Sequence, residues 1–258
     1  MMNYALITGA TSGIGYELAK IFAREGNDLI LVANQKDKLM EIAEELPEYG
    51  PARIKVIPQD LSLPDAAEKI FNKVKEWSVF VDKLVNNAGF YIKGPFYQTD
   101  WEREQKLIQL ECINHTSLVK LFLPEMIKRN NGKILNVCST ASFIPGPYNA
   151  IYCASKSFML SFTEALAGEL SGSGVSVTAL CPGGTNTSFQ DLSKRKSGFI
   201  NPLMEPSVVA KEGYTALMKG RRLVVPGVTN KLQVFAMRFL PRGVVAKIAG
   251  SYVNRQSK

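Results

Sequence analysis

The chain has 258 residues, of which 46% are hydrophobic and 21% charged, and its mean hydropathy is -0.02. This composition excludes a disordered chain, a collagen and a coiled coil, and no apolar run reaches the ~18 residues of a membrane-spanning helix. The net charge of +8 is concentrated in residues 190–258, which carry 13 Lys and Arg against 3 Asp and Glu.

Apolar, β-branched runs alternate with helix-period stretches from one end of the chain to the other. The predicted strands are Tyr4–Thr8, Leu29–Ala33, Ile54–Ile57, Lys83–Asn87, Lys133–Cys138, Val175–Leu180 and Leu223–Val225. The predicted helices are Ile14–Glu25, Asp37–Leu46, Asp65–Trp77, Trp101–Arg129, Ile151–Leu170 and Ser207–Met218. This alternation is typical of βαβ units around a parallel sheet. It predicts that residues 1–258 form one doubly wound α/β domain, with ligands bound beyond the carboxyl ends of the strands.

Two long irregular stretches, Phe90–Asp100 and Gly183–Pro206, follow predicted strands at that end of the sheet. Loops of this length inside a domain are usually functional. The second contains several glycines and prolines and has apolar residues along it. Residues 183–206 are therefore predicted to form a substrate lid, and the alternative is a loop that packs on the surface.

A glycine-rich turn, Thr8-Gly-Ala-Thr-Ser-Gly-Ile-Gly15, joins the first predicted strand to the first helix. Glycines let the backbone approach a pyrophosphate, and a helix N-terminus offers N–H groups and a partial positive charge. Such turns are common, so the prediction of a dinucleotide site depends on further motifs. These are Asp60-Leu61 after the third strand, Asn86-Asn-Ala-Gly89 after the fourth, and Tyr152-Cys-Ala-Ser-Lys156 at the start of a helix.

Tyr152 and Lys156 are four residues apart, which places them on one helical face with the ammonium able to act on the phenol. Tyr16 and Lys20 have the same spacing, so the spacing alone does not identify a site. Ser139 follows a strand shortly before Tyr152, whereas Tyr16 has no such neighbour. We therefore predict that Tyr16 and Lys20 lie on a helix surface.

With these motifs in this order, the chain resembles the short-chain dehydrogenase/reductase superfamily in its single-domain form. The resemblance runs from Tyr4 to about Pro226. It implies a Rossmann fold with a seven-stranded parallel sheet and helices on both faces. It also implies a catalytic tetrad, which is matched here by Asn114, Ser139, Tyr152 and Lys156.

The implied roles agree with the residue types. Tyr152 would give a proton to a carbonyl oxygen, although a free phenol has a pKa near ~10, and Lys156 and the oxidised nicotinamide are the available positive charges. Ser139 would donate a hydrogen bond to the substrate oxygen. Asn114 would position a water that returns protons toward Lys156. The alternative for Asn114 is a buried amide that only satisfies backbone groups.

The resemblance also implies the cofactor contacts, with Asn86, Ala88 and Gly89 against the adenosine half and the central sheet, and Asp60 near the adenine amino group. The predicted cofactor-binding residues are Gly9, Thr11, Ser12, Gly13, Ile14, Gly15, Asn34, Asp60, Leu61, Asn87, Ala88, Gly89, Tyr152, Lys156, Pro182, Gly183, Thr185 and Thr187.

The residue after the second strand decides the cofactor. An NAD enzyme needs a carboxylate there for the ribose hydroxyls, and Asn34 is not one. Lys36 and Lys38 add positive charge nearby, so NADP is predicted over NAD. Relatives usually have arginine in place of Asn34, so the preference is expected to be weaker than usual.

No metal centre or disulfide framework is predicted. The cysteines Cys112, Cys138, Cys153 and Cys181 are far apart, and His115 is the single histidine. Met1–Thr8 lacks the features of a signal peptide, so a cytoplasmic protein is expected. The four cysteines are expected to be buried thiols. His115 is a candidate general base, with a packed histidine as the alternative.

These features predict an NADP-dependent oxidoreductase that acts on a ketone, an aldehyde or the corresponding alcohol. The alternative is a cofactor-binding regulator or scaffold without catalysis, which would be free to lose the tetrad. A nucleic-acid partner is not expected, because the basic residues form no run with interleaved aromatics. A homodimer or homotetramer is expected through the helices Trp101–Arg129 and Ile151–Leu170.

Aromatic and apolar residues near the motifs predict an apolar substrate cleft. They are Phe90, Tyr91, Phe96, Phe143, Ile144, Tyr148, Phe189 and Met204.

The basic C-terminal segment, residues 228–258, contains no acidic residue and interleaves apolar with basic residues. Pro241 divides it into two predicted short helices, each with an apolar side. This segment either packs its apolar side on the domain or lies weakly on an anionic membrane surface.

Overall fold

Seven parallel strands form one sheet in the computed structural model, which describes residues 2–187 and 203–255 except for the side chains of 252–255. The strands are β1 (Asn3–Thr8), β2 (Asp28–Ala33), β3 (Ile54–Pro58), β4 (Phe80–Asn86), β5 (Gly132–Val137), β6 (Val175–Leu180) and β7 (Leu223–Val224). They lie in the order β3-β2-β1-β4-β5-β6-β7, and each neighbouring pair is parallel. The predicted doubly wound Rossmann architecture is confirmed.

Helices cover both faces of this sheet. They are α1 (Gly13–Arg24), α2 (Lys36–Glu45), α3 (Ala66–Glu76), α4 (Trp101–Ile108), α5 (His115–Lys128), α6 (Ala150–Glu169), α7 (Pro206–Met218), α8 (Val228–Met237) and α9 (Arg242–Arg255). One core layer joins the sheet to α1, α2 and α7, and the other joins it to α3, α5 and α6. Because both faces are covered, the strands are nearly continuous buried apolar runs, as parallel sheets require.

The predicted single helix Trp101–Arg129 is wrong at its centre. A π-helical turn, Gln109–Asn114, separates α4 from α5. Two polar side chains of this turn, Glu111 and Asn114, are 0% and 1% exposed, so both are enclosed by the protein. Turns of this kind insert an extra residue into the helical repeat and are frequent at functional sites.

The strand order reverses between β1 and β4. From this point the chain winds outward in both directions, which leaves a crevice beyond the carboxyl ends of the two strands. The fold therefore brings the loops that follow β1, β4 and β5 to the same edge of the sheet.

The basic C-terminal segment forms α8 and α9 on either side of Pro241, as predicted. Val234, Val245 and Ala249 are buried, so each helix packs one side on the domain. Other apolar side chains of the segment face solvent: Val228, Leu232, Phe235, Phe239, Leu240, Val244 and Ile248. Packing on the domain therefore accounts for only part of the apolar residues. Within the described residues, no helix combines the length and apolar character needed to cross a membrane.

Candidate active site

A cavity of about 1470 Å³ lies beyond the carboxyl ends of β1 to β6. Most predicted site residues line it: Gly9, Thr11, Ser12, Gly13, Ile14, Asn34, Asp60, Leu61, Asn87, Ala88, Gly89, Ser139, Tyr152, Lys156, Pro182, Gly183, Thr185 and Thr187. Gly15, Asn86 and Asn114 are not among the lining residues. The fold thus assembles nearly all of the predicted site from six loops.

Thr8 and Asn87 fasten the glycine-rich turn to the end of β4. The Thr8 hydroxyl accepts hydrogen bonds from the backbone N–H groups of Asn87 and Ala88, at 2.9 and 3.0 Å. The Asn87 amide donates to the backbone carbonyls of Thr8 and Gly9, at 2.9 and 3.2 Å. These four hydrogen bonds fix the glycine-rich turn, which lines the cavity, to the end of β4.

Glycine is required at both ends of this turn. Gly9 has a φ of +66°, and a Cβ there would lie 2.8 Å from the Ala88 Cα. Gly13 has a φ of +56°, and a Cβ there would lie 2.8 Å from Thr187. A Cβ on Gly15 would instead collide with the Asn87 amide and the Gly9 carbonyl, so Gly15 permits close packing behind the turn rather than lining the cavity.

The N-terminus of α1 faces the cavity through Ser12, Gly13 and Ile14. Ser12 is the N-cap residue, and its side chain makes no capping hydrogen bond. The first-turn N–H groups and the helix dipole therefore favour an anion at this position. Together with the open backbone of the turn, this arrangement fits the pyrophosphate of a dinucleotide.

The far end of the cavity is built around Asn34, which is exposed directly after β2. Lys38 also lines the cavity there, whereas Lys36 is not among the lining residues. The Asp60 carboxylate accepts a hydrogen bond from the Ser62 N–H at 2.8 Å, which fixes the loop after β3.

Tyr152 lies in the first turn of α6 and is 8% exposed. Its ring meets the Tyr91 ring edge to face, with centroids 5.0 Å apart. This contact orients the phenol toward the cavity that both rings line.

Lys156 lies one turn further along α6, with its Nζ 5.9 Å from the centroid of the Tyr152 ring. The ammonium donates to the Val137 carbonyl at 2.9 Å and forms an ion pair with Glu111 at 3.0 Å. An ammonium has three N–H donors, so one remains for a ligand in the cavity.

Ser139 is the N-cap of the 3₁₀ turn Thr140–Phe143, which follows β5. Its Oγ accepts from the Ala141 N–H at 3.1 Å, and the Ser142 hydroxyl accepts from the Ser139 N–H at 3.2 Å. This capping box fixes the Ser139 side chain and uses a lone pair of its oxygen. The hydroxyl proton is left to donate into the cavity.

Unlike these three residues, Asn114 is not among the cavity-lining residues. Its amide donates to the backbone carbonyls of Leu61 and Leu63, at 2.7 and 2.8 Å, and its oxygen accepts from the Ala67 N–H at 3.4 Å. The predicted role of holding a water beside Lys156 is not supported by these contacts. Asn114 instead ties the π turn to the loop after β3.

Asn86 lies behind the cavity in the sheet. It is fully buried, and its amide donates to the His115 carbonyl at 3.2 Å and to the Asn136 side chain at 2.9 Å. It braces β4 against β5, in agreement with the predicted contact with the central sheet.

Glu111 is the site residue that the sequence analysis missed. Its carboxylate is 0% exposed and makes the ion pair with Lys156. The sequence carried one weak signal, a charged residue at helical spacing from the apolar Leu107 and Leu118, and no signal for its partner.

His115 is a packed core histidine, the alternative to a general base. Its ring Nε2 lies 3.5 Å from the Thr8 hydroxyl, and burial lowers the pKa of His115 to about 3. The cysteines are all free thiols, of which Cys112 is partly exposed.

Of the eight residues predicted to form an apolar substrate cleft, four line the cavity: Phe90, Tyr91, Ile144 and Tyr148. Phe96 is 58% exposed, and Phe143 and Met204 pack against core clusters instead. Phe189 lies outside the described residues, as do residues 188–202 of the predicted lid.

The two described ends of the predicted lid are paired with each other. Thr185 and Met204 form a parallel β-bridge, supported by the Asn186 N–H bond to the Met204 carbonyl at 2.9 Å. The described ends of the predicted lid therefore lie side by side, with Thr185 lining the cavity.

Comparisons with known proteins agree with this geometry. The sequence model of the family described as short chain dehydrogenase matches residues 3–197. Oxidoreductase UcpA of Salmonella typhimurium is 34% identical over 90% of this chain and 86% of its own length. Estradiol 17-beta-dehydrogenase 11 of Rattus norvegicus is 32% identical over 91% of this chain and 80% of its own length. A short-chain dehydrogenase from Sphingobium yanoikuyae, solved in complex with NADPH, superimposes with a TM-score of 0.80 at 28% identity, covering 93% of this chain and 96% of that one.

Proposed function

The chain belongs to the short-chain dehydrogenase family of oxidoreductases, and from this premise we propose that it transfers hydride between a nicotinamide dinucleotide and a ketone, an aldehyde or a secondary alcohol. The observation that carries this proposal is the convergence of Ser139, Tyr152 and Lys156 on one cavity. A cofactor-binding regulator would not need a serine with a free hydroxyl proton beside a tyrosine and a lysine. The second candidate function is a non-catalytic regulator, and an activity assay distinguishes it from an enzyme.

The chemistry follows from the three side chains. A bound nicotinamide supplies or accepts the hydride. In reduction, the Ser139 and Tyr152 hydroxyls donate hydrogen bonds to the substrate oxygen, which polarises the carbonyl. Tyr152 then gives up its proton as negative charge develops on that oxygen, and the Lys156 ammonium stabilises the resulting phenolate. In oxidation, Tyr152 takes the proton back.

A panel of carbonyl compounds, each assayed with NADPH and with NADH, tests the proposal. We expect turnover of at least one apolar ketone or aldehyde. If the protein bound the cofactor tightly but turned over none of the carbonyl compounds and none of the matching alcohols, the regulator would be favoured.

We further propose that the enzyme prefers NADP to NAD. Support comes from Asn34 and Lys38 at the cavity end and from the NADPH complex of one structural relative. A carboxylate is absent at position 34, so nothing there repels a 2′-phosphate, and Lys38 attracts it.

Substitutions at position 34 provide a prediction about this preference. Asn34→Arg is expected to strengthen NADPH binding, because guanidinium binds phosphate through two hydrogen bonds, and Asn34→Asp is expected to reverse the preference. The measurement is the ratio of the Kd values for NADPH and NADH. Lys38→Met should weaken NADPH binding, whereas Lys36→Met is the matched control and should not. Tighter binding of NADH by the unaltered protein would contradict the inference.

The proposed substrate is bulky and apolar. Phe90, Tyr91, Ile144 and Tyr148 supply apolar surface beside the reacting groups. The name of one relative specifies estradiol, a molecule of this kind. We also propose a homodimer or homotetramer through α4, α5, α6 and the π turn between α4 and α5, whose exposed apolar residues include Trp101, Ile113 and Phe158.

Contact with an anionic membrane surface is proposed for α8 and α9. Val228, Leu232, Phe235 and Phe239 are spaced by four, three and four residues, which makes one stripe, and they are 58% to 73% exposed. Residues 228–258 carry six Lys and Arg and no acid. A second copy on this face would bring two basic surfaces together, whereas anionic lipid complements both the charge and the apolar stripe.

Vesicle sedimentation with Phe239→Asp provides the corresponding prediction. The protein is expected to pellet with anionic but not neutral vesicles, less so at high salt, and the variant is expected to stay in the supernatant. Met40→Asp, at an exposed apolar residue of α2, is the control and should pellet normally. Supernatant protein with anionic vesicles at low salt would leave α8 and α9 with a packing role only.

A further inference from the structure

A buried carboxylate is paired with the lysine that lies one helical turn after the proposed proton donor. Glu111 is completely enclosed, and its Oε1 is 3.0 Å from the Lys156 Nζ. The Ser155 hydroxyl is 3.2 Å from Oε2 and also 3.0 Å from the Tyr152 carbonyl. The π turn thus places a negative charge against the helical turn that carries both Tyr152 and Lys156.

Several titratable groups surround this pair. His115, Cys112, Cys153, Cys138 and Cys181 are the neighbouring buried or partly buried groups, Tyr91 contacts the Tyr152 ring, and the exposed Lys93 and Arg103 line the same cavity. Burial lowers the pKa of His115 to about 3 and raises the pKa values of Cys112 and Cys153 to about 11, so these groups are neutral at physiological pH. The pKa of Cys181 is also raised, chiefly by a hydrogen bond with Cys138. Lys156 and Glu111 are therefore the charged pair among these buried groups.

The two charges act on Tyr152 with opposite sign. An ammonium near a phenol favours the phenolate, and a carboxylate near it disfavours the phenolate. The Lys156 Nζ is only 5.9 Å from the Tyr152 ring centroid, and its counter-ion Glu111 is 3.0 Å from it. The carboxylate therefore cancels part of the electrostatic effect of the ammonium on the phenol. Two further contacts of Lys156 and Glu111, with the Val137 carbonyl and Ser155, keep the pair in this place.

We propose that Glu111 is a positioning residue that holds Lys156 against Val137 and offsets its charge, so that Tyr152 keeps its proton to a higher pH than beside an unpaired lysine. This inference rests on the proposed function, in which Tyr152 is the proton donor. Its consequence is a site poised for carbonyl reduction, because a protonated Tyr152 is the form that reduction requires.

Burial supports the same assignment. It raises the pKa of the Glu111 carboxyl, while the Lys156 ammonium acts in the opposite direction. A carboxylate placed in such surroundings is costly unless it is paired and hydrogen-bonded, and both kinds of partner are present. The contacts that stabilise the buried Glu111 carboxylate are thus the same contacts that keep it beside Lys156.

The test is a titration of Tyr152 in cofactor-free protein, read as the tyrosinate absorbance that disappears in Tyr152→Phe. In Glu111→Gln we expect the Tyr152 midpoint to fall by about one pH unit or more, since the Lys156 ammonium, then without its counter-ion, is 5.9 Å from the Tyr152 ring centroid and an opposite charge at ~4–6 Å shifts a pKa by about 1–3 units. Glu104→Gln is the matched control, because Glu104 is a buried carboxylate bound to Thr99 and its loss should leave the midpoint unchanged.

The pH dependence of turnover provides a second readout. In Glu111→Gln, the pH at which alcohol oxidation reaches half its maximum is expected to fall in parallel, with little change in KM. An unchanged Tyr152 midpoint in the folded Gln variant would overturn the proposal. Glu111→Met, of similar length and without polar groups, carries the same expectation if the Gln variant does not fold. Failure of both variants to fold would assign Glu111 to stability alone. Because the titration needs no turnover, inactivity toward every carbonyl would refute the proposed function without deciding the role of Glu111.

Discussion

Replacing Tyr152 by phenylalanine is expected to lower turnover by at least ~10²–10⁴-fold, the range for a positioned general acid, while the Kd of the cofactor changes little. The substitution removes one oxygen and its proton. It leaves the ring that packs edge to face on Tyr91. Single-turnover rates and cofactor binding, measured on the same preparation, separate the loss of chemistry from a loss of binding.

Tyr16→Phe is the control, because Tyr16 has the same spacing from Lys20 as Tyr152 has from Lys156. Tyr16 is not a free surface residue: its hydroxyl donates to the Glu45 carboxylate at 2.5 Å, and Tyr49 donates to the same carboxylate at 2.9 Å. We therefore expect normal turnover and a loss of about 1 kcal/mol in stability, the usual net worth of a hydrogen bond. Wild-type turnover in Tyr152→Phe would refute the assignment of the proton donor.

Lys156→Ala is expected to lower both turnover and cofactor affinity and to destabilise the fold by about 3–5 kcal/mol, because it leaves the Glu111 carboxylate buried without its partner. Chemical denaturation at neutral pH measures the change. The double variant Lys156→Ala with Glu111→Gln should recover much of the stability and none of the activity. If the double variant were as unstable as Lys156→Ala, the ion pair would not be the cause.

The pH dependence of this loss has a definite sign. Burial holds the folded-state pKa of Glu111 above its ordinary value, so the folded state binds this one proton more tightly than the unfolded chain, and the contribution of Glu111 to stability falls as pH rises above about 4.5. Without Lys156, whose charge lowers that pKa, the difference grows. Lys156→Ala should therefore be less destabilising in mild acid than at neutral pH.

The sheet and most of the site could be predicted because each depends on local patterns. β-branched apolar runs identify parallel strands, and the glycine-rich turn, Asn87 and the Tyr152–Lys156 spacing are short motifs whose geometry follows from one strand and one helix. Parallel strands then bring those loops to the same edge without any further information.

Asn114 and Glu111 could not be assigned in this way. Their placement depends on the π turn Gln109–Asn114, and the apolar periodicity of the segment does not distinguish that turn from a continuous α-helix. Asn114 satisfies two loop carbonyls 51 and 53 residues away in sequence, and Glu111 meets a lysine on another helix. Such long-range pairings require the assembled core.

Gln233 of α8 and Ala249 of α9 line the cavity, so the two helices that carry the exposed apolar residues also contribute to the site. A lipophilic ketone dissolved in a bilayer at that surface would arrive by lateral diffusion in two dimensions instead of from bulk water. Its encounter rate would then depend on its mole fraction in the lipid. Adding vesicles that contain no substrate would dilute it and slow the reaction, although its total amount in the assay stayed the same.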